Sequence, residues 1–176
     1  MIRIEVRGWI PAPQGSKKYV GNGQMVEVSK RVKPWRYAVN QAAQDMCRCP
    51  LDGNVTMDVV FIFPRPKSHF GTGKNAQRLK PLAPTHHKFK PDLSKLIRST
   101  EDALTGIAYQ DDSQICELRA SKRYAAIGEQ PGAIITLHPK TDPHRINALQ
   151  QRIIEQRAKL RLEQLHSRSP EPQPRD

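Results

Sequence analysis

Five carboxylates crowd into one short stretch of an otherwise basic chain. Asp92, Glu101, Asp102, Asp111 and Asp112 all fall within KFKPDLSKLIRSTEDALTGIAYQDD, residues 88–112. The 176-residue protein carries 29 Lys and Arg against 17 Asp and Glu, a formal charge of +12. Clustered carboxylates repel one another unless a cation stands between them. Mg²⁺ and Mn²⁺ are hard ions that take oxygen ligands and keep several of their waters. Such an ion polarises a phosphodiester and activates water. A strong excess of positive charge commonly marks a polyanionic partner, most often nucleic acid. The basic surface would then hold DNA, and the acidic island the metal that cuts it. The plainer reading of the charge is a cationic surface that serves solubility.

Each acid also has a plain structural reading. Asp92 stands where a helix begins, and Asp is among the best N-caps. Asp102 lies four residues after Arg98, the spacing of a surface ion pair. Asp111-Asp112-Ser113 reads as a turn before a strand.

The elements that position these residues follow from periodicity. A helix is expected from about 93 to 105, ending at Gly106. Leu93, Leu96, Ile97, Thr100 and Leu104 form its apolar stripe. Ser94, Arg98 and Glu101 share one flank, and Lys95 and Asp102 point away from the stripe. After TGIAYQ the chain is expected to return near the helix start or flank with Asp111 and Asp112.

Upstream, IRIEVRGWI (2–10) alternates apolar and charged residues as a half-buried strand does. A Pro/Gly-rich loop with Lys17 and Lys18 follows, then a GNG turn into a short strand at MVEV. Residues 33–49 read as a helix, with Pro34 in its first turn. NVTMDVVFIF (54–63) is a β-branched and aromatic strand stopped by PRP. Residues 64–91 read as a long, mobile, positive loop. QICELRASKRYA and GAIITLHP are two more strands. The expected fold is α+β, a small mixed sheet with two helices packed on it, over residues 1–140. A C-terminal amphipathic helix is expected over 145–166 within an extension spanning 141–166, followed by a disordered tail at 167–176. Residues 141–176 hold seven Lys and Arg and five acids, leaving 22 and 12 in the first 140, so the positive field belongs to the core.

Three cysteines, Cys47, Cys49 and Cys116, form no CxxC pair, which argues against a disulfide framework or structural zinc. No segment approaches the run of apolar residues that spans a bilayer, and MIRIEVRGWIPAP lacks a signal-peptide apolar region. A cytoplasmic protein is expected. His86 and His87 are expected to be solvated members of the basic loop.

KPDLSKLIRSTEDALTGIAYQDDSQI resembles the signature of RusA-like Holliday junction resolvases, small endonucleases common in phages and prophages. That signature reads K/R-P/R-D-x-D-N-L-x-K, then D-A-L, a Gly, and D-D-x-Q before a strand. The order of elements from residue 2 to about 139 is compatible, and PAPQGSKK resembles the family's basic loop after its first strand. The resemblance implies a homodimeric, Mg²⁺-dependent endonuclease that binds four-way DNA junctions and nicks opposing strands symmetrically, in recombination and repair. It places Asp92 and Asp112 as metal ligands, Asp111 as a supporting acid, Asp102 in a structural role, and Arg98 on phosphate or transition-state charge. Two positions depart. Ser94 stands where the family has its second Asp, and Lys95 where it has Asn. Glu101 lies about 20° from Ser94 on the helix wheel and could supply the missing carboxylate, or Ser94 could give a neutral oxygen ligand. Lys17, Lys18, Lys30, Arg31 and Lys33, with Lys67, Lys74, Arg78, Lys80, Lys88, Lys90 and Lys95, would hold phosphates. The rival readings are a non-catalytic branched-DNA-binding protein of the same fold, favoured by Ser94, a nuclease acting on flaps or forks, and a protein-interaction module working through 145–166.

Overall fold

The alternation in IRIEVR makes β1 (Ile2–Arg7) a strand with Ile4 and Val6 buried and Arg3 and Arg7 exposed. A computed structural model of the protein describes residues 1–15, 17–19, 25–27, 30–140, 152, 154–157 and 159–160. After β1 come β2 (Lys17–Tyr19), β3 (Met25–Glu27), α1 (Val32–Met46), β4 (Asn54–Phe63), α2 (Leu93–Leu104), β5 (Ile115–Tyr124) and β6 (Gly132–Lys140). Lys17 and Lys18, expected in a loop, lie in β2, which pairs antiparallel with β3. These two strands flank GNG, whose expected turn lies outside the described residues.

The main sheet runs β1-β6-β4-β5. Its pairs are antiparallel except β4 with β5. Parallel neighbours need a crossover, and here the crossover is the segment 64–91 followed by α2. Period-2 alternation puts Val55, Met57, Val59, Phe61 and Phe63 on the face that also carries Ile4, Ile135 and Leu137. Trp35, Val39 and Ala43 of α1 and Leu96, Ala103 and Leu104 of α2 pack into the same core. The two helices meet where Trp35 Nε1 donates to Thr100 Oγ1 across 3.3 Å in the interior. The fold is thus the mixed α+β sheet with two helices that the sequence predicts.

The buried stripe of α2 is Leu96, Ser99, Thr100, Ala103 and Leu104. Relative to expectation it is rotated towards Ser99 and Ala103, with Leu93 and Ile97 half-buried at its edge. Ser99 accounts for the rotation. Its Oγ donates to Ala12 O at 2.6 Å, and Gln14 N donates to Lys95 O at 3.0 Å, so the chain after β1 is tied along this flank.

Residues 64–91 are organised rather than featureless. Two short 3-10 turns, Lys67–His69 and Gly73–Asn75, and isolated bridges Phe70 to Leu79 and His86 to Arg123 give the segment shape.

Contacts divide the chain into Met1–Lys140 and Thr141–Asp176. In the second unit residues 152, 154–157 and 159–160 are helical. The rest of the helix expected at 145–166 and the tail expected at 167–176 lie outside the described residues. No helix among the described residues is long and apolar enough to cross a membrane.

Candidate active site

The chemistry-bearing residues fall at the two ends of α2. At its start, β5 holds the incoming chain by backbone and side-chain bonds. Lys122 Nζ donates to Phe89 O at 2.6 Å and Pro91 O at 2.7 Å. His87 N donates to Lys122 O at 3.1 Å, and Tyr124 N to Thr85 O at 2.9 Å. These bonds fix one wall of a cleft of about 600 Å³ whose lining includes Arg31, Phe63, His87, Lys90, Asp92 and Lys95.

Asp92 occupies the N-cap position of α2 with an extended backbone, but its side chain makes no capping bond. Its carboxylate instead lies 3.3 Å from Lys95 Nζ, more than half exposed. The capping role that its sequence position allows is not taken, and the carboxylate stays on the cleft. His87 differs from expectation as well. Its ring stacks on Phe63 with centroids 4.2 Å apart and leans on Tyr124 at 4.9 Å. Burial and the nearby Lys122 charge hold its pKa below the ordinary value. Its Nδ1 is buried without a partner. His86 is exposed.

At the other end, the helix is closed by a tight return. Gly106, at φ +79°, takes the left-handed conformation that a side chain would resist, and its N donates to Tyr109 O at 2.7 Å. Tyr109 is fully buried, and its Oη donates to Glu101 O at 3.2 Å. Asp111 then caps the 3-10 turn Asp112–Gln114 by accepting from Ser113 N at 2.9 Å, which lowers its pKa. Gln114 Oε1 accepts from Gln110 N and Asp111 N, and its Nε2 donates to Leu51 O and Gly53 O at 3.0 and 2.7 Å. The turn reading of Asp111 is therefore correct, and it leaves Asp112 projecting, exposed.

Glu101 faces this turn, half-buried. Burial first, then the negative charges of Asp112 and Asp102, push its pKa up, while Arg98 opposes them. The charge of Asp112 thus reaches Glu101, a proximity with no local sequence signal because it depends on the return through Tyr109. Asp102 pairs with Arg36 of α1 rather than with Arg98 four residues earlier. The pairing joins the two helices. Ser94 and Arg98 are exposed.

The two ends are far apart. Nine residues of helix separate Asp92 from Glu101, a rise of about 13 Å. Along β5, the seven steps from Ile115 to Lys122 span about 23 Å. Asp111 and Asp112 therefore return at the end of the helix, not at its start. Asp92 and Asp112, expected as joint ligands, do not meet within one chain. Ser94 is about 10 Å along the helix from Glu101, so Glu101 sits with Asp112 and not in the place of the carboxylate that Ser94 lacks. Among the described residues no group of three His, Cys, Asp or Glu side chains is placed to hold a metal ion.

Of the expected phosphate contacts, Arg31, Lys90 and Lys95 line the Asp92 cleft. Lys30, Lys33, Lys67, Lys74, Arg78, Lys80 and Lys88 are exposed. The side chains of Lys17 and Lys18 lie outside the described residues. Phe89, not singled out by the sequence, is 60% exposed beside the cleft lysines, with Lys88 Nζ 5.7 Å from its ring centre. Its signal was an apolar ring inside HHKFKP.

The uncharacterized protein YqaN of Bacillus subtilis (strain 168) is 32% identical over 115 residues, covering 64% of this chain and 78% of YqaN. A family model described as endodeoxyribonuclease RusA matches residues 9–138. The match runs from the cleft-lining segment after β1, through both ends of α2, to the last strand of the sheet. The matched span includes both the basic cleft at the start of α2 and the carboxylates at its end, and this protein belongs to the RusA family of endodeoxyribonucleases.

Proposed function

We propose that this protein is a Mg²⁺-dependent endodeoxyribonuclease, with Mn²⁺ as a substitute, that acts as a homodimer and resolves four-way DNA junctions by paired symmetric nicks. The reading is supported by the family match over residues 9–138 and by the return through Tyr109, whose Oη donates to Glu101 O and which leads into the turn that carries Asp112. Two carboxylates of which one is pushed towards protonation by burial and by the other's charge favour a cation between them. Mg²⁺ suits such a pair, since it binds through one or two carboxylates and keeps several waters. When bound, it supplies a polarised phosphodiester and an activated water. The chain's own groups position the DNA. Arg31, Lys90 and Lys95 hold phosphates along the cleft. Arg98, whose charge opposes the upward shift of Glu101, would meet the phosphate at the acidic end.

Asp92 joins this chemistry from a second copy. Within one chain it stands a helix length away from Asp112, so a site using both takes Asp92 from one subunit and Asp112 with Glu101 from the other. The homodimer is then part of the active site, and two such sites account for paired nicks. Asp111 supports Asp112 by shaping its turn.

A second reading keeps the fold and drops the cutting. Ser94, in place of the family's second Asp, favours a junction-binding protein without catalysis. Cleavage of a labelled mobile four-way junction, with and without Mg²⁺ or Mn²⁺, beside duplex, flap and fork controls, separates the readings. Symmetric nicks confined to the junction and dependent on metal support the resolvase. Tight binding with no cutting in either metal supports the binder, and equal cutting of the controls points to another nuclease substrate.

A further inference from the structure

The segment 64–91 between β4 and α2 carries seven Lys and Arg and not one Asp or Glu. Its middle is a closed hairpin. Phe70 and Leu79 bridge antiparallel, Gly71 N donates to Arg78 O at 2.9 Å, and Lys80 N donates to His69 O at 3.0 Å. The tip is wound by Asn75 N to Thr72 O, Ala76 N to Gly73 O and Arg78 N to Asn75 O bonds of 2.9–3.1 Å. Gly71 is required there, because a Cβ would stand 2.7 Å from Asn75 O.

The base of the hairpin is anchored to the sheet. Arg65 Nε donates to Ala125 O at 2.7 Å and its Nη1 to Pro84 O at 2.9 Å, with the guanidinium 5.5 Å from the Tyr124 ring centre. His69 meets the same ring edge-on at 4.7 Å. The tip is therefore a preformed projection, and residues 72–78 are all exposed. Among the described residues, the side chains of Lys74, Asn75, Gln77 and Arg78 have no hydrogen bond or ion pair.

That set of side chains does more than attract phosphate. Neutral Asn and Gln add nothing to counterion release. They are, however, the residues that bind adenine edges in two-point fashion, as Arg and Lys bind guanine. The major groove, about 12 Å wide, admits a two-stranded ribbon. We propose that the hairpin 70–79 enters the major groove of a duplex arm and reads its bases through Asn75, Gln77 and Arg78, with Lys74 on phosphate. The proposal rests on the reading of DNA as this protein's substrate. Pro64 connects the two places: it lines the Asp92 cleft and also the adjoining hollow shared with Phe70 and Gln77. The hairpin therefore adjoins the Asp92 cleft, and in this proposal the arm it reads is the one whose backbone passes Asp92, which would make the hairpin a source of base preference at the cut.

The test is selection of bound DNA from four-way junctions with one randomised arm, in EDTA, so that cutting plays no part. The full chain is compared with Asn75→Ala/Gln77→Ala, which leaves the charge unchanged, and with Lys74→Ala. The wild type is expected to enrich a short motif, about tenfold for each base read. The double variant is expected to bind within about threefold of wild type while losing the motif. Lys74→Ala is expected to weaken binding and keep the motif. No enrichment by the wild type, or the same motif in the double variant, overturns the proposal. Enrichment without metal-dependent cutting sinks the nuclease reading and leaves the hairpin's role standing. Cutting without base preference does the reverse, and absence of DNA binding sinks both.

Discussion

The two ends of α2 are built on opposite plans. At the start, side chains from the sheet reach the backbone: Lys122 donates to the carbonyls of Phe89 and Pro91. The local carboxylate, Asp92, is left without a capping bond and faces the cleft. At the end, the local side chains shape the backbone themselves: Asp111 and Gln114 form a reciprocal capping box, and Asp112 projects from the turn they make. One end therefore has cations and a lone carboxylate, and the other has several carboxylates whose charges raise the pKa of Glu101. The difference teaches that adjacent acids in sequence divide into those that build a site and those that serve it. Asp111 and Asp112 are neighbours, yet one makes the turn and the other is presented by it.

The comparison breaks most sharply if either end proves dispensable. Asp112→Asn and Asp92→Asn are each expected to lower junction cleavage by at least about a hundredfold, a scale set by loss of metal or transition-state electrostatics. Junction binding should stay within about threefold, since phosphate contacts by cations set affinity. Gel-shift and nicking assays on one substrate measure both. Wild-type cleavage by either variant would remove that end from the chemistry.

The supports of each end come next. Gln114→Ala loses bonds to four backbone groups and is expected to cost about 2 kcal/mol of stability, with cleavage falling because Asp112 is no longer presented. Lys122→Met is expected to cost about 1 kcal/mol and to weaken DNA binding more than it slows cutting at saturation. Denaturant unfolding and single-turnover kinetics distinguish the two patterns. The same kinetic profile in both would mean that the ends are not separate.

Glu129→Gln is a control away from both ends. Arg123 holds Glu129 by two bonds and draws its pKa down to about 2. A depressed carboxylate stabilises the fold above its unfolded pKa and loses that contribution as pH falls through the folded one. The variant should be less stable than wild type by about 1 kcal/mol near neutral pH, with the gap closing between about pH 4.5 and 2 and cleavage unchanged. Thermal unfolding against pH reads it.

The smallest effect expected is a gain. Glu101 has a raised pKa, so the fold favours its protonated form and loses that contribution as pH rises through the folded value. Glu101→Gln should therefore raise the melting temperature at pH 7 without metal, with the gain fading in acid. Added Mg²⁺ should stabilise the wild type more than the variant. A variant less stable than wild type at pH 7 would mean that Glu101 is satisfied without a cation.

Much of this arrangement is legible in the chain's own residue pattern. The ten residues NVTMDVVFIF form β4 over Asn54–Phe63 because β-branched and aromatic residues end there at a proline. The helix expected over 93–105 is Leu93–Leu104, since its apolar spacing has one period. What sequence periodicity does not contain is the long-range partner. Asp102 meets Arg36, 66 residues away, and Ser99 meets Ala12, 87 away. No local pattern distinguishes these from the i to i+4 pair with Arg98. The direction of the return after Gly106 is hidden for the same reason. It depends on Tyr109 being buried under the helix end, and TGIAYQ alone allows the chain to come back along either half of α2.

The central claim is that the two ends act together only across two copies of the chain. It is tested most directly by mixing Asp92→Asn with Asp112→Asn protein, allowing subunit exchange, and measuring nicking of a labelled four-way junction in Mg²⁺. Neither variant alone is expected to cut, while the mixture should recover single-strand nicks, because half of the sites in a mixed dimer keep both carboxylates. A mixture as inactive as its components, beside an active wild type and with exchange demonstrated, would contradict the account and return each site to a single chain.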